Sequence, residues 1–498
     1  MTDKDQQILD LQQELERIKA QGKSQGSAQF DAYQTVLTGR YCSAAMSNLF
    51  SQRSRIGIWR KLWLALAESE KELGIDTITP QALEEMRSHL YVTDSDFEIA
   101  RVEEKKRRHH VHAFGVVAPS AAGIIHYGAT SCYVTDNAEL VIMRDALDLL
   151  LNRLAKVIWN LSNFALKWKQ EPTLAYTHLQ PAQLITVGKR AAQWVQDLMF
   201  DLQAIEQVRG DLRFRGAQAS FLGFKGDASK CDQLNSLLCA KLGFPSCYVS
   251  SHTRKVDLVI ANAVAGLGAT AQKICGDIRH LANWKEIEEP FEQSQIGSSA
   301  MAYKRNPMRS ERVYSLAREL MSKPANFANT LSDQWVTERV TILITVIGMD
   351  IPDMFLLAES ILLGLDNITD GLVVYPKRIQ TRVLEELPFM ITESIIMKLV
   401  AKGASRQEAH EEIRVLSHQA GSVVKIEGKP NDLVSRIRNA EFFKPIWGEL
   451  DTMLDPRLYT GRSVDIVERY CGAGGPVNLK LAPYMRYITG TSTAELSV

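Results

Sequence analysis

The stretch GSSAMAYKRNP, residues 297–307, combines small, hydroxylic and cationic residues that together could act on an anionic substrate. Its glycine and paired serines favour a mobile polar loop, and Lys304 and Asn306 follow closely. A serine is a weak base in water, but a nearby cation in a site closed to water lowers its pKa. The GxxxxGK[ST] spacing of nucleotide triphosphatases is absent, which argues against that class. An ordinary surface loop is the alternative.

His178 lies in the stretch TLAYTHLQPAQ, between two long helical segments, where functional side chains are common. A histidine can give or take a proton near neutral pH, so His178 could act as a general acid or base. We expect it just before a helix whose first turn contains Pro181. From position alone, a helix-capping or packed histidine is the simpler interpretation.

Two other stretches could bind anions. Thr130 and Ser131 stand just upstream of the first long helix, where hydroxyls and free amide groups suit a carboxylate or phosphate, although simple N-capping uses the same residues. Residues 103–115, EEKKRRHHVHAFG, concentrate cations and histidines, among them Arg108 and His109. An arginine beside a histidine could bind a phosphate, but solvated helix faces and nuclear-import patches share this composition. The run does not complete a metal-ligand set, so we expect no metal.

The overall composition argues against several function classes. The 498 residues contain 58 Lys+Arg and 58 Asp+Glu, so no global field favours nucleic acid or an anionic membrane. The seven cysteines include no CxxC pair, which is typical of reduced thiols in a cytosolic protein. The N-terminus is polar and no apolar run reaches about 18 residues. We therefore expect a cytoplasmic protein without a membrane span.

Long helical patterns dominate the globular part of the chain. Residues 136–171 contain no Gly or Pro and repeat apolar residues every three or four positions, which predicts one helix of roughly 50 Å capped by Thr135 or Asp136. We predict further helices at 181–209, 255–289, 308–323 and 352–371. Strand-like alternation is scarce, so the expected class is all-α, a bundle of long helices. Such helices usually need cover from other subunits, which favours a homo-oligomer.

Two segments depart from this pattern. Residues 1–20 carry apolar residues at heptad spacing and precede a flexible linker, which predicts a loosely attached short helix, with a coiled coil as the alternative. Residues 340–348, VTILITVIG, are uncharged and rich in β-branched side chains. They could form either a buried strand or a buried helical turn.

Several motifs resemble those of a known family. GSSAMAYKRNP is similar to GSSxMPxKxNP, the signature loop of the fumarase/aspartase superfamily. Further stretches resemble the animal-type adenylosuccinate lyase family, namely GATSCYVTDN, THLQPAQLITVGKR, DLRFRG, EEPFEQSQIGSSAM, KRNPMRSER and ELPFMITESIIM. The resemblance extends from about residue 30 to about residue 465.

The resemblance implies a fold and an activity. It implies helical domains at 30–132, 133–372 and 373–498 after an extension at 1–29, in a homotetramer with a central multi-subunit helical bundle and shared active sites. The substrate would be a small nucleotide. The implied reaction is β-elimination of fumarate from adenylosuccinate, giving AMP, and from the succinylated aminoimidazole carboxamide ribotide (SAICAR), giving AICAR. No metal or organic cofactor is implied.

The resemblance also implies residue roles. Ser298 would remove the proton from the succinyl β-carbon, and His178 would protonate the departing nitrogen. The intermediate is a carbanion delocalised into a carboxylate, whose extra negative charge must be met by fixed donors. The implied substrate-binding residues are Arg40, Tyr41, Arg108, His109, Thr130, Ser131, Lys304, Asn306, Arg312 and Arg339.

Some positions depart from the family pattern. Where the family has stretches like RHDVMAHVH and GVKGTTGTQASF, this chain has the shorter RHHVH and GAQASF. Ser250 occupies the position of a family glutamine, and Ala302 occupies the position of the loop proline. ERVTILITVIGMD replaces a segment like ERTLDDSANRR, which supplies a serine and an arginine to the phosphate. Each lost buried phosphate contact would weaken binding roughly a hundred-fold. These departures leave open a catalytically impaired paralogue that serves as a structural or regulatory subunit. Another superfamily lyase, such as argininosuccinate lyase, is a separate alternative, and the stretches YKRNPMRSER and TSCYVTDN argue against it.

Overall fold

Long helices make up most of the computed structural model, which describes residues 34–105, 110–217, 223–249, 253–291, 301, 303–334 and 346–494. The helices are α1 Ala44–Leu49, α2 Gln52–Glu72, α3 Pro80–Ser88, α4 Asp94–Lys105, α5 His110–Val117, α6 Ser131–Lys167, α7 Val187–Gly210, α8 Ala228–Leu242, α9 Lys255–Asn283, α10 Met308–Ser322, α11 Pro324–Ser332, α12 Ile351–Asp370, α13 Pro376–Met390, α14 Thr392–Ala401, α15 Arg406–Ile426, α16 Leu433–Asn439, α17 Leu450–Met453, α18 Ser463–Cys471, α19 Pro476–Leu481 and α20 Met485–Gly490. The strands are β1 Pro172–Thr177, β2 Gln180–Thr186, β3 Ile287–Glu288 and β4 Val373–Val374. Short 3-10 or π-helical turns occupy Leu37–Tyr41, Pro119–Ala121, Val346–Asp350, Glu441–Glu449, Pro456–Tyr459 and Ala482–Tyr484. The expected all-α class is confirmed.

The core of the fold is a bundle formed by α6, α7, α9, α10 and α12, which pack against one another. Most of their apolar residues are fully or nearly fully buried, while a few, such as Phe200 on α7, are exposed. Glycines permit the closest approaches between helices. A Cβ at Gly188 would lie 2.3 Å from the Ala165 carbonyl oxygen, and one at Gly364 would lie 2.4 Å from Val313 Cγ2. Any larger residue at these two positions would push helices apart.

The predicted boundaries of α6 and α7 were partly wrong. Helix α6 begins at Ser131, before the predicted caps, because Thr130 has the extended backbone of an N-cap residue. Residues 181–186 form β2 instead of the first helical turns, so Pro181 lies in a strand. Helix α7 starts only at Val187, where the Thr186 side chain accepts the Lys189 N–H.

The two-strand sheets join the bundle to the C-terminal helices. Strands β1 and β2 pair antiparallel between α6 and α7, and they pack against α13. Strands β3 and β4 also pair antiparallel, matching Ile287 with Val374 and Glu288 with Val373. This second pairing ends α9 before the predicted residue 289 and fixes the chain just ahead of the signature loop.

Helix α9 is long and apolar enough, by length and composition, to cross a membrane, and it is the one such helix within the described ranges. In the fold it packs against α7, α10 and α12, and its Asp257 is buried in ion pairs. A core helix of a helical bundle has these same properties.

Candidate active site

His178 lies at the exposed tip of the β1–β2 hairpin. Thr177 pairs with Gln180, which leaves His178 and Leu179 as a two-residue turn with φ angles of 53° and 59°. Two successive residues with positive φ characterise a type I′ turn, whose twist matches that of the strands. The imidazole makes no hydrogen bond, ion pair or ring contact with any other residue that the structure describes. It is therefore available to a ligand at the hairpin tip.

The hairpin is held firmly close to its tip, where Tyr176 pairs with Pro181. The Tyr176 ring stacks on Trp284 with 4.7 Å between ring centroids, and the Tyr176 hydroxyl accepts a hydrogen bond from Arg382 Nη2 at 3.0 Å. Arg382 also pairs with Glu286, a buried carboxylate whose pKa is raised by its burial. Stacking and ion pairing together fix the hairpin, and with it His178, relative to α9 and α13.

Thr130 and Ser131 are exposed at the N-terminus of α6, as predicted from their position before a helix. The Thr130 side chain makes no capping hydrogen bond, and its carbonyl oxygen accepts the Tyr133 N–H at 2.9 Å. The first N–H groups of a helix lack intrahelical acceptors and carry the positive end of the helix dipole. This 37-residue helix therefore offers hydroxyls and amide groups to an anion.

A ring of four buried charges lies one turn further along α6. Asp136 accepts hydrogen bonds from Arg215 Nη1 (3.5 Å) and Arg254 Nη2, and Asp257 accepts from Arg215 Nη2 (3.2 Å) and Arg254 Nη1 (3.0 Å). Buried charges are tolerated when they are paired and hydrogen-bonded in this way. The ring ties the start of α6 to the start of α9, so it holds Thr130 in place.

Arg40, Tyr41 and Arg312 line one cleft of about 400 Å³. The Arg312 guanidinium lies 4.7 Å from the centroid of the Tyr41 ring, a cation–π contact. Arg153 lines the same cleft and donates to the buried Glu359 at 2.8 Å. The three arginines give the cleft a positive character, which suits a phosphate or carboxylate.

The end of the signature loop is anchored by Glu289. Its carboxylate accepts the Arg309 N–H at 3.0 Å, and the Ser310 N–H and hydroxyl at 2.8 Å each. These bonds cap the first turn of α10, directly after Lys304 and Asn306. Lys304 is exposed and Asn306 is half-buried, so both side chains lie at the surface where the loop returns to the bundle.

Comparison with known proteins decides the family. The chain is 49% identical to the adenylosuccinate lyase of Schizosaccharomyces pombe over 474 residues, covering 92% of this chain and 98% of the relative. It is 50% identical to the adenylosuccinate lyase of Saccharomyces cerevisiae over 473 residues, with the same coverage. The chain belongs to the adenylosuccinate lyase family. It is therefore a carbon–nitrogen lyase, and the alternatives left open by the sequence are not favoured.

Family patterns and solved structures agree with this membership. The family described as Lyase matches residues 39–322, and the one described as Adenylosuccinate lyase C-terminus matches residues 388–470. The 3-carboxy-cis,cis-muconate lactonizing enzyme of Pseudomonas putida superposes with a TM-score of 0.76 at 22% identity, covering 91% of this chain and 100% of that one. A fumarate lyase from Mesorhizobium sp. BNC1 gives a TM-score of 0.75 at 21% identity, covering 89% and 100%. At these identities the likeness shows the fold.

Some residues predicted from the adenylosuccinate lyase family pattern lie outside the described residues. These are Arg108, His109, Ser298 and Arg339, together with the departures at Ser250, Ala302 and residues 218–220. Residues 1–20 and 340–345 lie outside as well. Residues 346–348 begin a π-helical turn that leads into α12, so this end of the ambiguous segment is helical.

Within one chain of this lyase, the structure brings together part of the predicted set. Arg40, Tyr41 and Arg312 share the cleft. Where residues are described, no hydrogen bond, ion pair or ring contact joins His178 or Thr130 to that cleft. The hairpin tip and the α6 N-terminus are separate features of the single chain.

Sequence reasoning missed several residues of the cleft. Arg153 lies in the middle of α6, where a charged residue is usually a solvated helix position, and Ser43 follows the predicted Arg40 and Tyr41. Residues Thr491–Ala494 also line the cleft, although they are distant in sequence from the rest of its lining. No local pattern marks such residues, because only the packing of the bundle brings them together.

Proposed function

We propose that this protein cleaves adenylosuccinate to AMP and fumarate, and SAICAR to AICAR and fumarate, in purine nucleotide biosynthesis. The observation that carries the proposal is the near-complete match to two yeast adenylosuccinate lyases at 49% and 50% identity. The cleft lined by Arg40, Tyr41 and Arg312 supports it, because a nucleotide substrate needs a cationic pocket for its phosphate.

The chemical step places two residues in opposite roles. Ser298 takes the proton from the succinyl β-carbon, the electron pair forms a carbanion delocalised into the adjacent carboxylate, and the carbon–nitrogen bond then breaks. His178 gives a proton to the departing nitrogen, and fumarate is released. The exposed, unengaged imidazole of His178 supports the acid role, since a general acid must reach its substrate directly.

The other predicted residues bind the charged ends of the substrate. Thr130 and Ser131 hold a succinyl carboxylate at the α6 N-terminus, while Lys304 and Asn306 meet the negative charge that develops on the carbanion. Arg40, Tyr41 and Arg312 bind the nucleotide phosphate. Arg108, His109 and Arg339 complete the substrate contacts. No cofactor takes part, because the carbanion is stabilised by its own carboxylate and by these fixed donors.

The active form is a cytoplasmic homotetramer whose sites are assembled from several subunits. Exposed apolar side chains on the long helices support this assembly: Phe200 on α7 is 64% exposed and Val259 on α9 is 42% exposed. Burial of such residues between subunits is favourable. In addition, His178 and the phosphate cleft do not contact each other among the described residues of one chain.

The test is a turnover assay on the purified chain. Loss of the adenylosuccinate absorbance is followed for the wild type and for His178→Ala and Ser298→Ala, each expected to lose about 100-fold to 10,000-fold in kcat with the oligomer mass unchanged. The matched control is His410→Ala, an exposed histidine on α15, which should keep full activity. No turnover by the wild type at high enzyme concentration would instead support a catalytically impaired subunit.

Mixing the two inactive variants tests the shared sites. If His178 and Ser298 of one site come from different subunits, mixed tetramers of His178→Ala and Ser298→Ala contain some sites with both residues intact. Activity is then regained after the subunits are exchanged. A mixture that exchanges subunits and stays inactive would show that both residues of each site belong to one chain.

A further inference from the structure

Residues 491–494 form one wall of the cleft that contains Arg40, Tyr41 and Arg312. The segment follows α20 without regular secondary structure, and Thr491 has an extended backbone. The match to the family described as Adenylosuccinate lyase C-terminus ends at residue 470, well before it. The position of the segment therefore depends on contacts with the bundle, not on a secondary-structure element of its own.

Buried charges hold this segment against α6 and α12. Lys156, only 6% exposed, donates to the carbonyl oxygens of Thr491 (2.9 Å) and Ser492 (2.6 Å). Asp366, 5% exposed, lies 3.7 Å from Lys156 Nζ and accepts the Ala494 N–H at 2.9 Å. Burying a lysine and an aspartate is costly unless their hydrogen bonds are satisfied, so the segment is needed to complete this pair.

A second set of contacts links the segment to the start of α10, which follows the signature loop. Asn367 Nδ2 donates to the Ala494 carbonyl oxygen at 2.9 Å, and Asn367 Oδ1 accepts from Arg309 Nη1 at 2.6 Å. Arg309 stands in the first turn of α10, immediately after residues 297–307. The wall of the cleft and the base of the loop therefore share one hydrogen-bonded frame.

The side chain of Ser492 is the part of this wall that remains open to a ligand. Ser492 is exposed, and its hydroxyl has no hydrogen-bond partner within the described part of the chain. It lines the same cleft as Arg40 and Arg312, which supply positive charge. A phosphate monoester carries oxygens that accept both charge-assisted and hydroxyl hydrogen bonds.

We propose that Ser492 binds the phosphate of the nucleotide, and that Lys156 and Asp366 position it. This inference rests on the proposed function, because a nucleotide must occupy the cleft. Ser492 is then a binding residue, whereas Lys156 acts only through the segment. The contact is remote from the bond that breaks, so its loss should raise KM more than it lowers kcat.

The first experiment compares Ser492→Ala with the control Thr489→Ala in the full chain. Thr489 is an exposed hydroxyl residue of α20 that bonds only to the Met485 carbonyl oxygen among its described neighbours. Calorimetric titrations with AMP and with adenosine are compared, because the two ligands differ only in the phosphate and their difference gives its contribution to binding. We expect Ser492→Ala to raise the Kd for AMP about ten-fold and to leave adenosine unchanged, since a hydrogen bond to a charged group is lost. An unchanged Kd for AMP would overturn the inference.

The second experiment tests the positioning role through Lys156→Met, with Lys169→Met as the control. Lys169 forms a partly exposed ion pair with Glu468. Lys156→Met should raise KM at least as much as Ser492→Ala, with kcat within about three-fold, and adding Ser492→Ala should cause little further change. If the effects of Lys156→Met and Ser492→Ala on KM were fully additive, the positioning role of Lys156 would be overturned. A wild type that turns over while both variants match their controls would refute this inference and leave the proposed function intact.

Discussion

Glu289 can be tested separately from any substrate contact, because it holds the start of α10 from within the fold. Its Oε1 accepts the Arg309 N–H (3.0 Å), and its Oε2 accepts the Ser310 N–H and hydroxyl (2.8 Å each). The side chain is 5% exposed, and its burial raises the pKa of the carboxyl despite these donors. A carboxylate at this position also interacts favourably with the helix dipole.

The loss of stability on replacing the Glu289 carboxylate can be worked out from its three hydrogen bonds to Arg309 and Ser310. In Glu289→Gln, one oxygen still accepts the Arg309 N–H, and the Ser310 hydroxyl can rotate to accept from the new amide group. The Ser310 N–H faces the amide and loses its acceptor, and a buried donor left in this way costs about 1–3 kcal/mol. We expect the free energy of unfolding to fall by about 2 kcal/mol. Glu289→Ala, which loses all three bonds, should cost about 3–5 kcal/mol.

Guanidinium unfolding at one fixed protein concentration measures the loss. The matched control is Glu288→Gln, because Glu288 accepts the Tyr375 hydroxyl at 2.8 Å and lies 3.7 Å from the largely exposed Arg305. We expect this control to lose less than about 1 kcal/mol. The kcat of Glu289→Gln should also fall, since the base of the signature loop is disturbed. Equal unfolding midpoints for the two glutamine variants would refute this account of Glu289.

Three further predictions concern other parts of the fold. Burial raises the pKa of Glu139 from 4.5 to about 7, so the stability it contributes is complete below pH 4.5 and is lost as the pH rises through 7. Between pH 5 and pH 8 this linkage amounts to about 2.5 kcal/mol of unfolding free energy, which Glu139→Gln should remove in urea unfolding. Equal pH dependence of the wild type and the variant would contradict the prediction. Leu179 is 83% exposed and has a positive φ, which glycine adopts without strain. We therefore expect Leu179→Gly to raise the free energy of unfolding, measured by thermal unfolding, by up to about 1 kcal/mol. A lower free energy of unfolding would show that the Leu179 side chain packs against the fold. Gly364→Ala should lower the free energy of unfolding by about 1–3 kcal/mol, because the new Cβ would clash with Val313. The control Gly210→Ala has open space around its Cβ and should be neutral or stabilising. Similar melting temperatures for the two variants would contradict this prediction.

The sequence was informative about helices because helical periodicity is local. The predicted helix at 136–171 appears as Ser131–Lys167, and the prediction at 308–323 appears as Met308–Ser322. Each of these is specified by apolar spacing within a few turns and by residues at its ends. The family motifs are equally local, so the superfamily could be recognised before the fold was known.

The β1–β2 hairpin could not be predicted in the same way. Its turn residues, His178 and Leu179, lack the Asn-Gly signal that a type I′ turn usually shows, and Pro181 suggested a helix start. The stacking of Tyr176 on Trp284 and the hydrogen bond from Arg382 stabilise the strands instead. Contacts with distant elements outweighed the local preferences here.

By itself the sequence determined the long helices, the family and the candidate residues of the signature loop, because each of these is encoded in short stretches. Tertiary structure alone decided that Arg40 and Arg312 share a cleft with Thr491–Ala494, and that Asp136, Arg215, Arg254 and Asp257 close a buried ring. Residues so far apart in the chain meet only when the helices pack. The free energy of that packing comes from apolar surface buried along entire helices, which no short stretch of sequence records.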